Sequence, residues 1–257
     1  MPFELAALYE TGCVAQIEHH EELGSTSDRA LKLAAEEDPD LPLLVLAERQ
    51  TAGRGRGSNR WWAADGALTF SLVIEPQPAQ LPLAHWPRLS LAAGLAICQA
   101  LEVFSPRALF QVKWPNDVYA EGRKIAGILI ESPAQSRGRL VIGIGVNVNN
   151  SLAAAPEEIR SLAAALCDID GRQRDLTSVL AAILGALDTH LKAAADMTAI
   201  SGRWQERCLL TGRTVQMQSG GEPITGRCLG IDEQGALMLQ TEAGRQSIVS
   251  GTVLNWE

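Results

Sequence analysis

Two neighbouring segments rich in β-branched residues constrain the fold most: RKIAGILIES at 123–132 and RLVIGIGVNVNN at 139–150. Val and Ile favour strands because a branched side chain packs well on a pleated surface. The PAQSRG segment between them carries turn residues and predicts a hairpin. The middle of the chain is therefore expected to contain an antiparallel pair of buried strands.

Strands and helices are predicted on both sides of this pair. The main folded unit is expected to start near Glu22, with Ser25 or Thr26 as the N-cap of its first helix. Further strands are predicted at 41–50 and 66–76, and 108–119 is predicted to be a strand that ends in a turn. Later helices are predicted at 85–104, 156–166, 176–195 and 198–208.

The pattern changes near residue 210. From Gly212 onward, short apolar stretches are separated by the turn sequences SGGEP, DEQG and EAGR, at a spacing typical of a small β-barrel. The expected organisation is a large unit over 1–210 and a small barrel over 211–257.

Composition excludes several classes of function. The formal net charge of -8 opposes an extended nucleic-acid surface, which needs many Lys and Arg contacts to phosphate. The five cysteines are scattered without a CxxC pair, which favours neither a disulfide framework nor a zinc site. The sequence shows no apolar run of membrane-spanning length and starts without the features of a signal peptide, so a cytoplasmic protein is expected.

One short segment departs from this acidic balance: QTAGRGRGSNRWW, at 50–62. Its glycines allow close backbone approach to a ligand, and its arginines supply forked donors that suit phosphate or carboxylate. The segment predicts a cradle for a small anion. A solvated surface loop is the alternative.

Three further motifs could contribute to the same site. KWPND at 113–117 ends a strand and includes Trp114, expected to be exposed for stacking. Lys124 stands three residues before a strand glycine, Gly127, which could mark close approach by a ligand. Asn147 and Asn149 face the same side of a strand and need partners that a polar ligand could supply. The alternatives are a simple turn, a lysine that extends to solvent beside a packing glycine, and a hairpin end.

Several common sites are not supported. GRGRG lacks the GxGxxG spacing of dinucleotide folds and precedes a strand rather than a helix. The Walker pattern is absent, and no Ser, His or Cys triad emerges from the sequence.

Taken in order, GST at 24–26, QTAGRGRG at 50–57 followed by RW, KWPND, KIAGILIE at 124–131 and GIGVNVN at 143–149 resemble biotin protein ligases. The resemblance spans residues 22 to about 250. It implies an α+β fold in which a mixed β-sheet is flanked by helices, as in class II aminoacyl-tRNA synthetases, with a small C-terminal SH3-like β-barrel.

The resemblance also implies the reaction. Biotin and ATP would give biotinyl-5′-AMP and pyrophosphate, with Mg²⁺ on the phosphates, and the biotinyl group would pass to one lysine of a biotin carboxyl carrier domain of acetyl-CoA carboxylase. The chain resembles the monofunctional members, without a DNA-binding domain. We expect no nucleic-acid or membrane partner, and a homodimer is left open. No metal ligands are assigned, and Asp117 is a weak candidate.

The family pattern implies roles for individual residues. Lys124 and Arg56 would be catalytic. The biotin pocket would be lined by Ser25, Thr26, Ser27, Gln50, Gly53, Arg54, Gly55, Arg56, Lys124 and Gly127. The nucleotide would lie near Arg54, Arg56, Trp61, Lys113, Asn116, Lys124 and Asn147. Two departures stand out, because GRGRGSNR replaces the more frequent GRGRRGR and Ser27 stands where Asn is frequent.

Two other functions compete with this interpretation. A lipoate or octanoate ligase would share the adenylation chemistry and a related fold. A non-catalytic biotin sensor or transcriptional regulator would share only the pocket, and the acidic balance weighs against a DNA-binding role.

Overall fold

The computed structural model describes residues 3–35, 39–76, 87–132, 138–194 and 196–257. A seven-stranded mixed sheet forms the centre of the molecule, in the order β1-β2-β3-β7-β6-β5-β4. β1 runs parallel to β2, and every other neighbouring pair in this sheet is antiparallel. The strands are β1 (Gln16–Leu23), β2 (Leu43–Gln50), β3 (Leu68–Ile74), β4 (Phe110–Lys113), β5 (Asp117–Ala120), β6 (Arg123–Glu131) and β7 (Leu140–Val146).

Helices cover both faces of this sheet. They are α1 (Leu5–Glu10), α2 (Thr26–Ala34), α3 (Pro87–Phe104), α4 (Glu157–Arg160), α5 (Leu166–Asp170), α6 (Leu176–Ala193) and α7 (Met197–Arg207). In β2, Leu43 and Val45 face α2, whereas Leu44 and Leu46 belong to the core on the α3 side. This alternation follows from the two-residue period of a strand.

A cap fixes the start of α2 beside the sheet. The Ser25 hydroxyl accepts a hydrogen bond from the backbone N–H of Asp28 at 3.4 Å. Of the two candidates that the sequence offered, Ser25 is therefore the N-cap and Thr26 is the first residue of the helix. Because β1 ends at Leu23, this cap places the first residues of α2 at the ends of β1 and β2.

The C-terminal unit is a five-stranded antiparallel sheet in the order β11-β10-β9-β8-β12. Its strands are β8 (Thr214–Gln218), β9 (Ile224–Ile231), β10 (Leu237–Thr241), β11 (Gly244–Ile248) and β12 (Thr252–Trp256). Its buried side chains, such as Met217 and Leu239, join the apolar cluster of the main unit. The predicted α+β fold with a small C-terminal β unit is confirmed.

Several details differ from the sequence expectations. The main sheet begins at β1, before Glu22, and its edge position explains the mixed His and Glu sequence of that strand. The 108–119 segment contains two strands, β4 and β5, around the KWPND turn. The helix predicted at 156–166 is replaced by the single turn of α4 and a separate α5. Trp114 was expected to be exposed, but it is buried and donates its indole N–H to the Gly235 carbonyl at 3.2 Å.

Two expectations fall wholly or partly outside the described residues: His85 at the start of the helix predicted at 85–104, and most of the PAQSRG turn. By length and composition alone, α6 is apolar enough to cross a bilayer, contrary to the sequence expectation. It packs against α3 through a buried face that includes Val179, Ile183 and Leu187, as core helices of soluble proteins do. This apolarity therefore does not indicate a membrane span.

Candidate active site

A cleft of about 770 Å³ opens where the N-terminus of α2, the arginine-rich loop and the glycine-containing parts of β6 and β7 meet. The KWPND turn and residues Ile159 and Leu162 form further walls, and Thr252 and Val253 of the C-terminal unit reach its edge. The cleft therefore collects residues from both units and from most of the motifs identified in the sequence.

One part of the cleft is built from neutral hydrogen-bonding groups, here called the hydroxyl corner: Thr26, Ser27 and Gln50, which line the cleft, and Ser71, which is fully buried and bonded to them. The Gln50 Oε1 atom accepts from the Thr26 backbone N–H at 2.7 Å and from its hydroxyl at 3.1 Å. The Ser71 hydroxyl donates to the Thr26 Oγ1 atom at 2.9 Å and lies 3.2 Å from the Ser27 hydroxyl. Buried polar groups that are hydrogen-bonded to one another hold fixed positions. Such a group of side chains suits a polar, uncharged part of a ligand.

The base of the cleft consists of three strand glycines, here called the glycine floor: Gly127, Gly143 and Gly145. Gly127 and Gly145 are direct neighbours in the β6–β7 register. A Cβ atom added at Gly143 would lie 2.3 Å from the Ser27 hydroxyl, and one added at Gly145 would lie 2.4 Å from the Trp61 indole. The sequence needs glycine here because side chains of the site lie directly against the backbone.

Trp61 lies across this floor. Its ring contacts the positions above Gly127 and Gly145, and its indole N–H is buried without a hydrogen-bond acceptor among the described residues. The Lys124 Nζ atom stands 5.9 Å from the ring centroid. Trp61 therefore lies on the floor of the cleft beside a cation, and its role in stacking stays a prediction.

The arginine-rich loop folds back on itself. The Trp61 backbone N–H donates to the Gly53 carbonyl at 3.0 Å, and the Gly55 N–H donates to the Asn59 carbonyl at 2.8 Å. A Cβ atom at Gly53 would lie 2.6 Å from the Trp61 carbonyl, so this glycine allows the two arms of the loop to pack together. Gly53 supports the cleft from behind and is not among the residues that line it.

Among the described residues, five cations line the cleft, and four of them are here called the cation end: Arg54, Arg56, Lys113 and Lys124. The fifth is Arg60. Lys124 pairs with Asp117 at 2.6 Å. Arg54 pairs with Asp28 at 2.8 Å and with Glu131 at 2.5 Å. The hydrogen bond that Arg54 donates to Glu131 raises the pKa of the Arg54 guanidinium. Burial lowers the pKa of the Lys113 ammonium.

The asparagine predictions have different outcomes. Asn116 lines the cleft and donates its amide to the Ile128 carbonyl at 2.8 Å. Asn147 is buried, donates to the Ala164 carbonyl at 3.1 Å, and accepts from Asn150 at 3.0 Å. Asn149 exchanges two hydrogen bonds with the backbone of Arg174. The expectation that a ligand supplies the partners of Asn147 and Asn149 is wrong, since the protein itself satisfies both amides, and Asn147 is not among the residues lining the cleft.

Comparisons with known proteins show the family of the chain. Residues 21–149 match the model of the biotin/lipoate A/B protein ligase family, and residues 210–254 match the biotin protein ligase C terminal domain. The chain belongs to the biotin protein ligases. It is 34% identical to the biotin--[acetyl-CoA-carboxylase] ligase of Paracoccus denitrificans, over 89% of this chain and 96% of that protein. It is 33% identical to the bifunctional ligase/repressor BirA of Bacillus subtilis (strain 168), over 91% of this chain and 72% of that protein.

A solved biotin protein ligase has the same fold. The Aquifex aeolicus enzyme in complex with biotin and ATP superposes with a TM-score of 0.81 and 31% sequence identity, covering 95% of this chain and 99% of that one. The two family segments correspond to the two β-sheets of the present chain, so the ligase architecture extends through the C-terminal unit.

Most residues that the ligase resemblance predicted meet in this one cleft. Those that line it are Ser25, Thr26, Ser27, Gln50, Arg54, Gly55, Arg56, Trp61, Lys113, Asn116, Lys124 and Gly127. Sequence reasoning missed Ser71, one of two hydroxyl residues in the apolar strand LTFSLVI, because nothing in the local sequence marks it. It also gave Asp117 only a weak metal role, whereas the structure pairs this carboxylate with Lys124.

Proposed function

We propose that this chain is a biotin--[acetyl-CoA-carboxylase] ligase that activates biotin with ATP and transfers it to a lysine of a carrier domain. The observation that carries the proposal is the joining of the hydroxyl corner and the cation end in one cleft. Biotin has a neutral ureido ring at one end and a carboxylate at the other. The two parts of the cleft match these two ends in polarity.

The first step forms a bond between a biotin carboxylate oxygen and the α-phosphorus of ATP, and the bond to the leaving pyrophosphate breaks. Like charges approach each other in this step, and a unit pair about 4 Å apart repels by about 1 kcal/mol in water and about 4 kcal/mol at an effective dielectric of 20. The cation end would offset this repulsion and stabilise the leaving pyrophosphate. No base is needed because a carboxylate is already ionised at neutral pH.

The second step transfers the biotinyl group. A neutral lysine amine of the acceptor attacks the acyl carbon, the bond to AMP breaks, and an amide forms while the amine loses a proton. Biotinyl-5′-AMP is a mixed anhydride that water would hydrolyse, so the cleft must shield it. Trp61 and the arginine-rich loop, which lie over the glycine floor, support this shielding role.

Magnesium would enter with the nucleotide. Among the described residues no group of three His, Cys, Asp or Glu side chains could hold a metal ion, and Asp117 is engaged by Lys124. No side chain of the described residues is therefore assigned to Mg²⁺. Mg²⁺ suits triphosphate oxygens and water, and the steps above are assigned to the side chains of the chain alone.

The remaining expectations extend this proposal. The acceptor would be the biotin carboxyl carrier domain of acetyl-CoA carboxylase, because the Paracoccus relative carries that activity in its name. We also propose the division at residue 210, supported by the start of the second family match at residue 210. A cytoplasmic, monofunctional enzyme without a nucleic-acid partner remains a prediction.

The test is pyrophosphate release by the purified protein with ATP and Mg²⁺, comparing biotin, lipoate and octanoate. We expect release with biotin and with neither of the other two acids. An acid without the ureido ring would leave polar groups of the hydroxyl corner without hydrogen-bond partners, and we expect a preference for biotin of about 10⁴-fold. Mass spectrometry of a carrier domain should then show one added biotinyl group. Release with lipoate or octanoate would assign the chain to the neighbouring ligases, and binding of biotin without release would favour a sensor.

A further inference from the structure

The four cations of the cation end differ in what neutralises them. Carboxylates engage Lys124 and Arg54 through the ion pairs described above. Within the described residues, neither Lys113 nor Arg56 has a carboxylate partner within ion-pair distance. Among the described residues, Lys113 and Arg56 are therefore the two members of this group that form no direct ion pair, here called the unmatched cations, although the Asp117 carboxylate also acts on Lys113 at longer range.

Both of these cations contact the C-terminal unit. The Lys113 Nζ atom lies 4.6 Å from the centroid of the Trp256 ring, on the last strand of that unit. The Arg56 guanidinium donates to the Gly251 carbonyl at 2.5 Å, just before the same strand. Thr252 and Val253, between these two contacts, line the edge of the cleft. One short segment of the C-terminal unit thus reaches both unmatched cations.

The Lys113 ammonium sits in a corner formed by two aromatic rings. The second ring is Tyr119, whose centroid is 5.6 Å from Nζ, and the two rings are 6.1 Å apart at an interplanar angle of 86°. Among the described residues no hydrogen bond is made by the ammonium group. An aromatic face attracts a cation through its quadrupole without occupying its N–H donors. The corner therefore holds the charge while leaving the donors free for phosphate oxygens.

Trp256 is itself held firmly by backbone pairing. It faces Val215 in the β8–β12 register, and the next residue, Glu257, exchanges two backbone hydrogen bonds with Thr214 at 3.0 and 3.2 Å. Tyr119 is buried on β5, next to the strand that carries Lys124. The aromatic corner is thus anchored in both sheets, and its position depends on how the two units pack together.

We propose that Trp256 is a positioning residue that holds the Lys113 ammonium towards the triphosphate of ATP. This inference rests on the proposed ligase function. It gives the C-terminal unit a defined role in nucleotide binding, through the π face of one side chain rather than through a charge of its own. Trp256 acts on the nucleotide only through Lys113.

The test measures ATP affinity by calorimetry and steady-state kinetics for Trp256→Leu and Trp256→Phe. Loss of the ring face should raise the Kd and KM for ATP by about tenfold in Trp256→Leu, and the smaller aromatic ring in Trp256→Phe should restore most of the affinity. The KM for biotin should stay unchanged in both variants. Leu254→Ala is the matched control, because Leu254 is half exposed on the same strand.

A double-mutant comparison separates positioning from a general effect on folding. Lys113→Met should weaken ATP binding, and adding Trp256→Leu to it should cause little further loss if the two residues act as one unit. If Trp256→Leu does not fold, the same comparison is made with Trp256→Phe. An unchanged ATP affinity in folded Trp256→Leu would overturn the proposal, as would fully additive losses of Lys113→Met and the Trp256 substitution.

The binding measurement also distinguishes this inference from the function on which it rests. Wild-type protein that binds ATP with Trp256-dependent affinity but releases no pyrophosphate with biotin would refute the ligase assignment and leave the positioning role standing. Wild-type protein with biotin-dependent release and no effect of Trp256 would do the reverse.

Discussion

The hydroxyl corner and the cation end face the same cleft but are stabilised in different ways. The corner is neutral, and its groups are hydrogen-bonded to one another: Ser71 donates to Thr26, and Thr26 donates to Gln50. The cation end carries four positive charges, of which two are paired with carboxylates and two rest on the C-terminal unit. Affinity in the corner therefore depends on hydrogen-bond geometry, whereas affinity at the cation end depends on how much charge remains unmatched.

This difference predicts that substitutions at the two parts change different kinetic constants. Groups that bind the ground state and the transition state equally alter KM alone, whereas groups that act on developing charge alter kcat. Substitutions in the hydroxyl corner should therefore change KM, whereas substitution of Lys124 should change kcat.

The largest effect is expected from Lys124→Ala. Loss of this cation should lower kcat for pyrophosphate release by about 10²- to 10³-fold, as removal of a single stabilising donor does in other enzymes. The variant also leaves Asp117 without its partner in the cleft. Lys192→Ala is a matched control, because Lys192 forms a similar ion pair with Asp188 at 2.7 Å on an exposed helix face. Equal activity of the two variants would contradict a catalytic role for Lys124.

The next effect tests the glycine floor that joins the two parts. In Gly145→Ala the new methyl group would lie 2.4 Å from the Trp61 ring, so the ring must move, at a cost of about 1 to 3 kcal/mol. We expect the KM for ATP to rise by about tenfold or more. Gly127→Ala is the comparison, since its added atom would stand 3.3 Å from the same ring and should cause a smaller loss. A larger effect at Gly127 would show that Trp61 does not determine the outcome.

Ser71→Ala should produce a smaller change confined to biotin. The variant removes the donor to the Thr26 hydroxyl, and a lost buried hydrogen bond costs about 1 to 3 kcal/mol, so the KM for biotin should rise by about tenfold while kcat is retained. Ser105→Ala is a suitable control because Ser105 is also buried and donates to Asp170 at 2.6 Å, on residues that do not line the cleft. A fall in kcat without a change in KM would remove the distinction between the two parts.

The smallest effect concerns pH. Burial lowers the pKa of Lys113 below its ordinary value of 10.5, so its positive charge is present at low pH and is lost, as the pH rises, earlier than in a free lysine. Activity that depends on this charge should therefore fall on the alkaline side. In Lys113→Arg the guanidinium keeps its charge, and the alkaline limb of kcat/KM should move to higher pH. An unchanged profile would assign that limb to another group.

Sequence reasoning found the cation end more completely than the hydroxyl corner. Arginine and lysine in glycine-rich motifs carry a local signature, and Arg54, Arg56, Lys113 and Lys124 all line the cleft. Ser71 carries none, because its role depends on how β3 packs against α2. The partners of Asn147 and Asn149 were misassigned because the carbonyls that accept from their amides belong to Ala164 and Arg174, 17 and 25 residues away in the sequence.

The fold shows the same limit. The capping serine and the apolar strands of the main sheet were readable from local patterns. β1 was missed because an edge strand exposes both polar and apolar positions, and QIEHHEEL has no clear alternation. Trp114 was predicted to be exposed because it lies in the polar KWPND motif. Its burial depends instead on a contact with Gly235 of the C-terminal unit, which the local sequence does not show.

The pairing of β12 with β8 has a consequence for synthesis on the ribosome. All of the family motifs have been translated by residue 149, but Gly251 and Trp256 follow about one hundred residues later. A nascent chain that has emerged only as far as β11 can form the main sheet, yet it lacks the strand against which Arg56 and Lys113 rest. The enzyme should therefore acquire its nucleotide site last, so that a ribosome-stalled chain ending before residue 251 would hold biotin more readily than ATP.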